Sequence, residues 1–170
     1  TSNAPLCSGS TLTFTSTVSL PGETFDWTGP HSFTSTLQNP NIINVPVADT
    51  GIYKIKATLN GCADSTYVVV TIDSMPMIPA IGGTTPLCSQ LDTLFLTSTD
   101  VSPVTSYVWA GPNGFTSTLQ NVFIAAPVAA ASGVYTVTVT IGICSNTNSI
   151  VIAVDSMPAI PVVTSNAPIC

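Results

Sequence analysis

The chain has 170 residues, and only 6% of them are charged, against about a quarter in an ordinary soluble domain. With two Lys or Arg residues in total and a net charge of -6, it cannot build the phosphate-neutralising surface that nucleic acids and anionic membranes require. Acid–base catalysis is disfavoured because the chain has one His and one Glu. Its polarity comes instead from 26 Thr and 19 Ser, and no apolar run reaches the roughly 18 residues of a membrane-spanning helix.

Alternating apolar and polar residues predict short β-strands along the whole chain, and no segment has a helical period. On the strand at 53–59, Lys54 and Lys56 fall on the outer face. Seven or so short strands in about 80 residues, separated by Gly, Pro and Asn-Gly turns, predict an all-β sandwich. The predicted strands cover 12–14, 25–27, 42–45, 53–59 and 67–72, and the second half repeats the pattern at 135–141.

The sequence repeats itself with an offset of 82 residues. The segment 33–39 is identical to 115–121, and 164–170 begins a third copy of 1–7. We therefore expect two domains, at 1–78 and 79–160, and at 161–170 a linker with the first residues of a third repeat. Two prolines three residues apart in each linker predict a short, stiff connection. Further repeats of the same chain are the first expected partners.

Five cysteines, at 7, 62, 88, 144 and 170, have a regular spacing. The separations of 55 and 56 residues predict the pairs Cys7–Cys62 and Cys88–Cys144. The rival pair Cys62–Cys88 is disfavoured, because it would join equivalent ends of successive sandwiches. Cys170 is expected to pair with a cysteine about 55 residues further on, and an interchain disulfide is the alternative. Disulfides in units this small point to an oxidising, extracellular location, with a signal peptide removed or the sequence taken from inside a longer chain.

Three segments, 2–13, 27–40 and 49–62, carry a resemblance to a known family. They resemble the tandem immunoglobulin-like repeats of very large secreted surface proteins of Bacteroidota. The resemblance implies immunoglobulin-like sandwiches that form stalk or adhesive segments, exported by the type IX system. The run Asp49-Thr-Gly-Ile-Tyr53 also resembles the tyrosine corner of the immunoglobulin fold, with Tyr135 as its second copy and Ala131 in place of Asp49.

Few residues qualify as candidate binding sites. Trp27 and Trp109 are predicted to be core residues, and a sugar-stacking platform formed with Phe25 and Tyr107 is the alternative. His31 is expected to be a solvated turn residue. Calcium at the domain junctions is not expected, because Asp73 and Asp155 supply one carboxylate each where the ion requires six to eight oxygens. We expect no cofactor or metal.

Several Asp-Ser/Thr-apolar triplets resemble the O-glycosylation signature of the same bacterial phylum. No Asn-x-Ser/Thr sequon occurs, so N-glycosylation has no acceptor. The candidate O-glycosylation sites are Ser74, Ser156 and Thr93, with Ser65 as a looser match.

Together these features predict a non-catalytic structural repeat segment of an extracellular filament, stalk or adhesin shaft. The alternative is a glycan- or protein-binding adhesion module on the cell surface. Because Thr and Ser surfaces repel each other weakly, we expect either covalent glycans or lateral self-association into a fibre.

Overall fold

A computed structural model describes residues 1–17, 20–100 and 106–164 of the chain. These residues form short β-strands joined by turns, and four single turns of 3-10 helix lie at 30–32, 47–49, 112–114 and 129–131. The strands of the first repeat are β1 (Leu6–Cys7), β2 (Leu12–Thr13), β3 (Thr24–Thr28), β4 (Thr34–Ser35), β5 (Asn41–Ile42), β6 (Gly51–Leu59), β7 (Cys62–Val70) and β8 (Ile72–Asp73). Those of the second are β9 (Ile81–Gly83), β10 (Leu87–Cys88), β11 (Thr93–Ser98), β12 (Ser106–Ala110), β13 (Thr116–Ser117), β14 (Val122–Ala125), β15 (Gly133–Ile141), β16 (Cys144–Ile152) and β17 (Val154–Asp155).

Each sequence repeat builds the same sheets. The first has a four-stranded sheet in the order β4-β3-β6-β7 and a two-stranded sheet β2-β5. The second has the order β13-β12-β15-β16 and a three-stranded sheet β14-β11-β9. Period-two alternation turns one face of each long strand inward, as at Tyr53 and Ile55, while Lys54 and Lys56 stay exposed. The predicted all-β architecture is confirmed.

The described residues group into two compact units. One contains Thr1–Ile78 and Thr138–Thr147, and its core is built from Leu12, Phe14, Phe25, Trp27, Val45, Tyr53, Val70 and Ile72. The other contains Pro79–Asp100, Tyr107–Val137 and 148–164. Its buried side chains include Leu94, Leu96, Trp109, Tyr135 and Val137. Trp27 and Trp109 are 3% and 0% exposed, so neither ring offers a free face for stacking on a sugar.

A buried tyrosine locks the turn before the longest strand of each repeat. The Tyr53 hydroxyl donates a hydrogen bond to the Asp49 carbonyl oxygen at 3.0 Å, and Tyr135 does the same to Ala131 at 3.0 Å. Because the acceptor is a backbone oxygen, replacing Asp49 by Ala131 leaves the bond intact. Burial raises the pKa of Tyr53 to about 12, with a smaller contribution from the Asp49 carboxylate, so the hydroxyl remains a donor.

The tyrosine ring also explains a glycine in the Trp-x-Gly-Pro motif. A Cβ on Gly29 would overlap the ring of Tyr53, and a Cβ on Gly111 would overlap that of Tyr135. The chain must pass this close for the ring to fill the end of the core. The motif therefore recurs because the corner requires it.

We expect Tyr53→Phe to lower the free energy of unfolding by about 1–2 kcal/mol, because a buried carbonyl loses its hydrogen-bond donor. Tyr67→Phe is the matched control, since Tyr67 is 69% exposed and its loss should stay within about 0.5 kcal/mol. Urea unfolding of both variants and the wild type at neutral pH measures the difference. Equal losses in the two variants would contradict this account of the corner.

Candidate functional site

The start of each repeat pairs in parallel with the end of its last strand. Leu6 lies opposite Ile72 and Cys7 opposite Asp73, and the Ser8 amide donates to the Asp73 carbonyl at 2.8 Å. The second repeat repeats this pairing, with Cys88 opposite Asp155 and the Ser89 amide 2.8 Å from the Asp155 carbonyl. Each repeat therefore holds its first cysteine beside the carboxyl end of its last strand.

This pairing overturns the predicted disulfides. Cys62 is the first residue of β7, and Asp73 lies eleven residues further along an extended segment. At about 3.3 Å per residue, roughly 35 Å separates the two ends, whereas disulfide-bonded Cα atoms lie within about 7 Å. The predicted pair Cys7–Cys62 is therefore wrong. Cys88–Cys144 is wrong for the same reason, because Cys144 begins β16 and Cys88 lies beside Asp155.

The disulfide of the structure joins Cys7 to Cys144. Their Cα atoms are 5.6 Å apart, and the bond closes a sequence separation of 137 residues. Both cysteines belong to the unit that contains Thr1–Ile78 and Thr138–Thr147. Cys62 and Cys88 are free and exposed. Cys170 lies outside the described residues.

The hairpin turn that carries Cys144 fits closely against the end of β8. Gly142 has a φ of +56°, and a Cβ there would lie 2.5 Å from an Asp73 carboxylate oxygen. The Asn146 side-chain amide donates to the Pro76 carbonyl at 3.2 Å. A glycine in the left-handed region therefore lets the turn approach, and an amide secures it beside the disulfide.

A serine hydroxyl fixes the first residues of each linker. The Ser8 hydroxyl accepts a hydrogen bond from the Met75 amide at 3.1 Å. In the second repeat, the Ser89 hydroxyl accepts one from the Met157 amide at 3.2 Å. The residue after each strand-start cysteine thus ties the linker to the end of its own sandwich.

His31 has a structural contact. Its Nδ1 lies 2.8 Å from an Asp49 carboxylate oxygen, and the two side chains are 61% and 9% exposed. His31 is therefore exposed, as expected of a turn residue, but it is bound to Asp49. In the second repeat, the Asn113 side-chain amide closes the same turn by donating to the Ala130 carbonyl at 2.8 Å. Both repeats hold this turn, each with a different polar pair.

The candidate glycosylation residues differ in exposure. Ser156 and Ser65 are exposed, whereas Ser74 and Thr93 are partly buried. Ser156 and Ser74 lie directly after the last strands of their repeats. The exposed hydroxyls at 65 and 156 are therefore the most accessible for modification.

Within the described residues, no cluster of three or more His, Cys, Asp or Glu side chains is present. The same residues contain no helix long and apolar enough to cross a membrane. An open cleft of about 400 Å³ lies in the first repeat beside β7, and its lining includes Glu23, Phe25, Trp27, Asp64 and Thr66. The Trp27 indole N–H is buried there without a partner among the described residues.

Comparisons with solved structures show the fold. The chain is similar to murine CEACAM1b, at 16% identity and a TM-score of 0.53, over 91% of this chain and 98% of that one. It is also similar to a chain in the crystal structure of a mouse coronavirus receptor-binding domain complexed with its murine receptor, at 14% identity and a TM-score of 0.57, over the same shares. The fold is immunoglobulin-like. No family model and no curated protein matches the sequence.

We expect Cys7→Ser to lower the free energy of unfolding by about 5 kcal/mol, because the chain-entropy term for a 137-residue loop is lost. Cys62→Ser, at an exposed free thiol, is the matched control and should change it by less than about 0.5 kcal/mol. With no Arg and only Lys54 and Lys56, trypsin cannot separate the cysteines. A peptic digest at acidic pH, where thiol exchange stops, should give a Cys7–Cys144 peptide. A Cys7–Cys62 peptide would contradict the structure.

Proposed function

We propose that this chain is a structural repeat segment of an extracellular filament, stalk or adhesin shaft of the Bacteroidota type, with domains at 1–78 and 79–160. One observation carries the proposal: the polar contacts that occur in both repeats hold the fold and the linker. The buried tyrosine corner, the parallel strand pairing and the serine bond to the linker each occur twice with equivalent partners. Repetition of these contacts is what a load-bearing array requires, because each unit must present its neighbour with the same end.

The polar side chains support a non-catalytic role. Asp49 and His31 form the acid–base pair of the described residues, and their counterparts in the second repeat are Ala131 and Asn113. Since both pairs hold the same turn, the contact is explained by structure. A reaction centre would be lost in the second copy, whereas the turn is kept.

The disulfide supports an extracellular location. Cys7–Cys144 closes a long loop, and such bonds persist in oxidising surroundings. The chain also has few charges to keep neighbouring copies apart. Exposed apolar side chains on outer strand faces, among them Tyr67, Val69, Phe95 and Phe123, support lateral association of shafts or coverage by glycans.

A glycan-binding module is the second candidate. The cleft beside β7 favours it, because an indole N–H without a partner, Glu23 and Asp64 offer a sugar a hydrogen-bond donor and acceptors. The second repeat weakens it, since Asn146 stands in place of Asp64 and Trp109 donates to the Gln120 carbonyl at 3.2 Å. A site built in one repeat only would serve recognition and not the shaft.

Electron microscopy of native material tests the shaft. We expect a rod with an axial repeat of one domain, because equivalent ends and short proline linkers repeat the same step along the chain. Isolated globular particles that keep the Cys7–Cys144 bond would contradict the proposal.

The intact mass of native protein tests glycosylation. We expect a mass above that of the disulfide-bonded polypeptide, with the excess reduced by Ser156→Ala, because Ser156 is exposed and follows Asp155. Ser145→Ala is the matched control, since Ser145 is also exposed and follows Cys144 in place of an aspartate. A mass equal to the polypeptide would exclude covalent sugars.

A further inference from the structure

The cysteines fall into two structural classes. Cys7 and Cys88 are strand-start cysteines, held beside the end of the last strand of their repeats. Cys62 and Cys144 are hairpin cysteines, the first residues of β7 and β16. The bond Cys7–Cys144 joins a strand-start cysteine of the first repeat to a hairpin cysteine of the second. The two cysteines left free, Cys88 and Cys62, are one of each class, and both are exposed.

We propose that Cys88 and Cys62 are the two halves of the same joint, each completed by another repeat of this kind. Cys88 bonds to the hairpin cysteine of a following repeat, and Cys62 to the strand-start cysteine of a preceding one. Every repeat is then linked by a disulfide to the next. The inference rests on the proposed function, because only an array supplies neighbours on both sides. A second copy of this chain serves as the probe.

The surroundings of Cys88 already match those of bonded Cys7. Both cysteines lie in a parallel pair with the last strand, opposite Asp155 and Asp73 respectively. The following serine donates its amide to that aspartate's carbonyl at 2.8 Å in both repeats and accepts from the linker methionine. Cys88 is therefore held in the backbone setting in which its counterpart forms a disulfide.

The surroundings of Cys62 match those of Cys144 in part. Each cysteine follows a two-residue turn, Asn60-Gly61 in one case and Gly142-Ile143 in the other. Cys144 is 1% exposed, whereas Cys62 is exposed, as a hairpin cysteine without its neighbour should be. Asn60 takes the place of Gly142 opposite the aspartate, where its side-chain amide can donate to the carboxylate of Asp155.

One position differs in a way that the proposal must accommodate. Asn146 donates to the Pro76 carbonyl in the bonded joint, and its counterpart in the first repeat is Asp64. An ionised carboxylate has no proton to donate, so Asp64 cannot make this bond to Pro158, the counterpart of Pro76. Asp64→Asn restores the donor and should strengthen a joint between two copies.

The bond forms by thiol–disulfide exchange with a disulfide oxidant, such as oxidised glutathione. The Cys62 thiolate attacks one sulfur of the oxidant, breaks its S–S bond and releases one thiolate. The Cys88 thiolate of the second copy then attacks the Cys62 sulfur of the mixed disulfide and releases the second. Two protein thiols lose two protons and two electrons, and the oxidant becomes two thiols.

The test uses the full chain with Cys170→Ser, which removes the fifth thiol. Cys62→Ser leaves only Cys88 free, and Cys88→Ser leaves only Cys62 free. The two variants, one of them labelled with a heavy nitrogen isotope, are mixed in equal amounts in a glutathione redox buffer. Non-reducing electrophoresis and mass spectrometry then count mixed and like dimers, and the Cys7–Cys144 peptide confirms that both variants are folded.

We expect mixed Cys62–Cys88 dimers above the share that random coupling gives, since the joint pairs unlike cysteines. Asp64→Asn should raise their yield about fivefold through one restored hydrogen bond, whereas Asp26→Asn, the same charge change on the exposed face of β3, should not. Absence of dimers, or like and mixed dimers in random proportion, overturns the joint. So does a monomer that links Cys62 to Cys88. Rods in native material without such links would leave the shaft standing and remove only the joint.

Discussion

The parallel pairing of β1 with β8 governs the end of each sandwich. Because Leu6–Cys7 runs in the same direction as Ile72–Asp73, the first cysteine is carried to the carboxyl end of the last strand. The neighbouring Ser8 can then hold both Asp73 and Met75, and the disulfide forms where the linker begins. A pairing in the opposite direction would turn Cys7 away from this end and leave the linker without its anchor. One short pairing of two residues on each side thus positions the cross-link and the exit of the chain together.

The elements with strong alternation were predictable from the sequence. At 53–59 and 135–141 the inner face is apolar and the outer face is Lys or Thr, so a two-residue period fixes both the strand and its orientation. Trp27 and Tyr53 fall in phase with these faces, which is why their burial follows. The sheet was readable because each residue's environment depends on its near neighbours in sequence.

The disulfide was not predictable, for a physical reason. A repeat of 82 residues assigns each cysteine a place within the unit but does not say which copy supplies its partner. Spacings of 55 and 56 suit a bond within one copy, and the same places suit a bond to the next. The choice depends on the direction of β1, a strand of two residues with no alternation to read. The contact between His31 and Asp49 was missed similarly, because its counterpart uses an amide and a backbone carbonyl.

A surface with few charges leaves open what fixes the order of repeats. Electrostatic complementarity, which usually selects one register over others, has little to act on when 6% of residues are charged. A covalent bond between unlike positions supplies the missing selectivity. When one partner is a strand-start cysteine and the other a hairpin cysteine, the contact is heterologous, and such contacts extend as an open series where they do not close into a ring. Low charge and unlike cysteine classes therefore answer each other: the chain uses direction in its disulfides where other proteins use ion pairs.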